Sequence, residues 1–105
     1  MGNRNWILAA CAGLAMAGCG HGPRSVSDPD PADKIPAMKE AAQTHNQRAI
    51  PQMVADLDSD DPAVRLYSID ALQKLTGQTF GYRYYDDDEA RKPAVAKWKQ
   101  WLLHK

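Results

Sequence analysis

Little in this chain can staple or charge it into shape. Residues 20–105 contain no cysteine, so nothing beyond Cys11 and Cys19 can form a disulfide framework, and a small fold must hold by packing alone. Thirteen basic residues face 13 acidic ones, and this balance gives no overall excess to bind nucleic acid or an anionic bilayer by charge. The longest apolar run, from Trp6 to Ala17, is far short of the roughly 20 residues that a membrane-spanning helix needs. There is no glycine-rich phosphate loop, no Cys/His metal spacing and no nucleophile elbow. The sequence therefore assigns no catalytic, cofactor or metal residue, and no enzyme activity is expected.

The N-terminus is more informative. A short polar head, Gly2-Asn3-Arg4-Asn5, precedes the apolar run, and the small pair Ala17-Gly18 precedes Cys19. Basic head, apolar segment and small-residue cleavage site together make a secretory signal. With the cysteine, the pattern resembles a bacterial lipoprotein signal peptide over residues 1–18. Met16 stands where that family usually carries Leu. The resemblance implies cleavage before Cys19, lipidation of Cys19 and a membrane-anchored, exported protein. It would sit at the periplasmic face, or at the outer membrane of a diderm cell, since Gly20 rather than Asp follows the cysteine. An uncleaved anchor and ordinary secretion are the competing readings.

Residues 19–33 read as a disordered tether. Three of the seven prolines fall here and Val26 is the one sizeable aliphatic side chain, too little apolar area to offset chain entropy. At about 3.1 Å per residue, a Pro-rich stretch of roughly a dozen residues reaches about 30–40 Å from the membrane.

Residues 34–105 read as a helical domain with four stretches of helical spacing. Ile35, Met38, Ala41 and Ala42 form a first stripe, with Asp33 as its expected N-cap and Pro36 in the first turn. Ile50, Met53, Val54 and Leu57 form a second over 47–57, with Asn46 as the cap and Pro51 near the start. Asp61 and Pro62 restart the chain into a third helix. Val64, Ser68, Ala71, Leu72 and Leu75 share its face, and Gly77 ends it. A fourth stripe, Val95, Trp98 and Leu102, with Ala94 and Trp101 beside it, begins near Glu89. The expected fold is all-α, with about four helices.

The hairpin 47–77 resembles one HEAT repeat of the short bacterial kind. The match rests on Ala49-Ile50-Pro51-Gln52-Met53, on Leu57-Asp58-Ser59-Asp60-Asp61-Pro62-Ala63-Val64-Arg65, and on Ser68 with Asp70-Ala71-Leu72-Gln73-Lys74-Leu75-Thr76-Gly77. It implies a short α-solenoid in which Ile50, Val54, Leu57, Val64, Leu72 and Leu75 are core. Asp61 and Pro62 start the second helix, and Arg65 pairs with the acidic turn. One such repeat cannot bury its own faces, so the segments before and after it must act as caps.

Between Gly77 and the fourth helix lie Phe80, Tyr82, Tyr84 and Tyr85, then the acids 86–89. The acid run lacks the spacers and glycine of a calcium loop, so a solvated helix start is expected. Tyr82, Tyr84, Tyr85 and Trp101 form the candidate partner surface, since exposed Tyr and Trp favour interfaces. Phe80 and Trp98 are expected inside. The resulting expectation is a lipid-anchored interaction module that binds a partner protein at the cell envelope, with an envelope polymer or sugar as the alternative ligand.

Overall fold

The computed structural model describes residues 25–105. Cys19, the signal segment and residues 19–24 of the tether lie outside the described residues. The described part is all-helical, without a strand: α1 (Pro31–Gln43), a 3₁₀ turn (Gln47–Ala49), α2 (Ile50–Asp56), α3 (Pro62–Thr76) and α4 (Asp88–His104).

Each start has a short polar cap. Asp30 accepts from the Ala32 amide, Asn46 from Arg48, Asp61 from Ala63 and Asp87 from Ala90, each bond satisfying an amide that the helix leaves unpaired. Two expectations change here. The first cap is Asp30, not Asp33, because Pro31 takes the first-turn place that its fixed φ suits. The helical domain thus begins three residues inside the tether boundary, and Val26 packs against the core. Pro36 consequently sits inside α1, as Pro93 sits inside α4. Each removes the N–H that would bond the carbonyl four residues earlier, on Ala32 and Glu89. Both residues are exposed, so water can serve those carbonyls. Asn46 caps the 3₁₀ turn rather than α2, which lets Pro51 enter α2 in its first turn.

The helices form two layers. α1 packs on α3, α3 on α2, and α2 on α4. Helices two apart in sequence are therefore neighbours within a layer, and the short connection 57–61 folds α2 and α3 into an antiparallel hairpin. Met38, Ile50, Met53, Val54, Leu57, Leu72 and Trp98 lie at the centre, each 1 % exposed or less. Val64 is buried, whereas Leu75 is half-buried, so the far end of the α3 stripe is less enclosed than its middle. Ser68 is also fully buried, its hydroxyl 3.7 Å from Met38 Sδ. A small side chain there lets α1 and α3 approach closely.

One buried ion pair joins the layers at the α1 end. Lys34 Nζ donates to Asp56 Oδ1 at 2.9 Å, and Gln52 Nε2 donates to the same oxygen at 3.1 Å. Asp56 Oδ2 has no hydrogen-bond partner among the described residues. Burying both charges carries a desolvation cost that offsets much of their attraction.

Candidate functional site

The segment 78–87 crosses from α3 to α4 without regular structure, so its carbonyls need partners from elsewhere. Four side chains supply most of the ties. Trp98 Nε1 donates to the Thr79 carbonyl at 3.0 Å. Tyr82 Oη donates to the Leu57 carbonyl at 2.8 Å. Arg65 donates from Nε to the Tyr84 carbonyl and from Nη1 to the Ser59 carbonyl, at 3.0 and 2.7 Å. Arg91 Nη1 donates to the Asp86 carbonyl at 2.8 Å. Arg65 therefore meets backbone carbonyls, not the acids of the turn. Its planar fork spans the α2–α3 turn and the loop together. Asp58 pairs instead with Lys99 at 3.2 Å.

The sharpest bend is Thr79–Tyr82. The Tyr82 amide donates to the Thr79 carbonyl at 3.0 Å, and both central residues have positive φ, 55° at Phe80 and 77° at Gly81. Such turns normally place Asn or Asp with Gly. A phenylalanine there is strained by about 1–2 kcal/mol, and ring contacts hold it in place. Phe80 meets Trp98 edge-to-face at 4.8 Å, and Trp98 meets Trp101 at 5.6 Å.

The four candidate surface aromatics do not form one patch. Tyr82 is only 5 % exposed, so it is a core residue and leaves the surface set. Its hydroxyl is spent on Leu57, and burial pushes its phenol up to about 12, partly countered by Arg91 and Arg65. Trp101 is half-buried at the Phe80–Trp98 end. Phe80, expected inside, is half-buried, because its ring forms a groove wall. Tyr84 is half-buried and Tyr85 is 67 % exposed. These two form a separate edge-to-face pair at 5.3 Å, with Arg83 lying 5.9 Å from the Tyr85 ring centre.

The acids 86–89 are each engaged singly. Asp86 pairs with Arg83, Asp87 caps α4, Asp88 pairs with Arg91 and Glu89 with Lys92. Among the described residues no group of three or more His, Cys, Asp or Glu side chains is placed to hold a metal ion. No described helix is long and apolar enough to cross a membrane.

Arg91 and Arg83 were not singled out from sequence. Arg91 had a readable signal, since it lies three and four residues before Ala94 and Val95 on the buried stripe of α4. Arg83 had none. No family model matches the chain, and searches of curated proteins and of solved structures find no match either.

Proposed function

We propose that this protein is an exported, Cys19-lipidated, HEAT-like interaction module that binds a partner protein at the cell envelope through Tyr84 and Tyr85. The observation that carries the reading is the setting of Tyr85. A large, 67 % exposed aromatic stands on a backbone tied down at Tyr84 and Asp86 by Arg65 and Arg91. Tyr84 and Arg83 flank its ring. A preorganised aromatic pays little ordering entropy on docking, which is what interface anchors require. The two-layer packing, with α1 and α4 turning polar residues outward, supports the repeat-and-caps reading.

A photo-reactive phenylalanine analogue placed at Tyr85 in intact cells tests it, with Gln73, exposed on α3, as the control site. A discrete crosslinked species is expected from position 85 and not from position 73. Equal labelling at both, or none at 85, overturns the reading. Lipidation is tested separately, by an acyl mass on the Cys19 peptide and by release from membranes in Cys19→Ser.

A further inference from the structure

Charge is balanced over the chain but not along it. All 13 acidic side chains lie at or before Glu89, so every charged side chain after it is basic. Four residues of that stretch, Lys97, Gln100, Trp101 and His104, together with Phe80 of the preceding loop, line a shallow groove of about 310 Å³. Two of its walls are aromatic rings. Its lining is mainly apolar, with the exposed side chains of Lys97, Gln100 and His104 beside it, and Lys105 Nζ sits 5.5 Å over the Trp101 ring centre. His104 Nδ1 lies 2.9 Å from the Gln100 carbonyl and donates to it, so Nε2 is the ring nitrogen not used in that bond. Among the described residues Lys97 makes no ion pair, whereas Lys92 and Lys99 on the same helix do.

We propose that this groove binds one residue of an acidic saccharide, the sugar ring lying against Trp101 and its carboxylate meeting Lys97 and Lys105. The occupant follows from complementarity. An apolar peptide side chain could rest on the two rings, but it would leave the exposed Lys97 and Lys105 charges without a counter-charge. Sugar hydroxyls both donate and accept, so they can bond the Gln100 amide and His104 Nε2. The sugar's C–H face suits an aromatic ring, and the groove has room for about one ring. A neutral sugar would leave the cationic rim unanswered. The site is distinct from the Tyr84–Tyr85 pair and does not rest on the protein-partner reading.

The test is a titration of the full chain with polygalacturonate, followed by the shifts of the Trp101 indole and Gln100 side-chain amide resonances. Unsubstituted dextran is the neutral control. Saturable shifts confined to these groups are expected with the polyuronate, weakening with added salt. Lys97→Glu reverses a charge on an exposed position and should weaken binding about tenfold with the melting curve unchanged. Trp101→Phe should keep the fold and weaken binding less than Trp101→Ala. Equal binding of dextran, shifts unaltered by Lys97→Glu, or no shift at Trp101 would each overturn the proposal.

Discussion

The α2–α3 hairpin and the loop that follows it are built on different bonds. In the hairpin, local chemistry suffices. Asp61 caps, Pro62 occupies the first turn, Gly77 closes α3 at φ 77°, and a helical stripe buries Ile50, Val54, Leu57, Val64 and Leu72. In the loop 78–87, two short turns, Thr79–Tyr82 and Arg83–Asp86, are closed by neighbours, but the path from α3 to α4 is not. The chain is held by Trp98, Tyr82, Arg65 and Arg91, which reach across 5 to 25 residues of sequence. A locally determined element tolerates the loss of one distant contact. An element held from a distance does not, and it can carry a strained residue such as Phe80 because its surroundings over-determine it.

Trp98→Ala should therefore have the largest effect. Trp98 fills the centre, holds Thr79 and stacks on both Phe80 and Trp101. A buried Trp→Ala change costs about 3–5 kcal/mol, as much as a core this small supplies. Loss of the cooperative thermal transition by circular dichroism is expected. A variant that still melts cooperatively would show that the loop does not depend on its distant anchors.

Within the hairpin the two leucines of α3 should separate. Leu72 is wholly buried, so Leu72→Ala should cost about 2–5 kcal/mol. Leu75 is half-buried, so Leu75→Ala should cost about half as much. Equal losses in chemical denaturation would mean that the end of α3 is as enclosed as its middle.

This division also explains what could be read beforehand. The four helices, the Asp61–Pro62 restart and the Gly77 stop follow from periodicity and capping, which are properties of neighbours. The Lys34–Asp56 pair and Arg91 were missed although each residue lies on the buried stripe of its own helix. Charge suggested solvent, while spacing placed them inside. The reach of Arg65 to Tyr84, the inward turn of Tyr82 and the splitting of the aromatics into two groups depend on contacts across the fold. No one-dimensional pattern contains them.

Tyr82 links the two regions through one hydrogen bond, and pH isolates it. Its phenol is raised from 10.0 to about 12 by burial. Between these values the unfolded chain releases the proton first, so the contribution of Tyr82 is complete below pH 10 and is lost as pH rises through about 12. Tyr82→Phe removes the Leu57 bond and should cost about 0.5–1.5 kcal/mol at neutral pH. Its melting temperature should then fall less steeply than that of the parent chain above pH 10. Parallel alkaline curves would show that the hydroxyl is not held in the core.

The smallest effect gives the sharpest contrast, because the same backbone strain occurs in both settings. His45 has φ 54° and Phe80 φ 55°. His45 sits just past α1, where its amide bonds the Ala42 carbonyl and the Asn46 amide bonds the Ala41 carbonyl. That is a helix ending in which glycine is the usual residue. The His45 side chain is exposed, so nothing it touches offsets the strain. Relief of about 1–2 kcal/mol in the fold should exceed the roughly 0.4–1 kcal/mol of freedom that glycine adds to the unfolded chain. His45→Gly should thus stabilise by about 0.5–1 kcal/mol. Phe80→Gly relieves the same strain but forfeits the ring contact with Trp98 and the half-buried area of the side chain, together about 1.5–3 kcal/mol. It should destabilise by about 1 kcal/mol. Opposite signs in paired urea titrations would confirm that one turn is locally determined and the other held from outside. The same sign in both would place the two turns in one class.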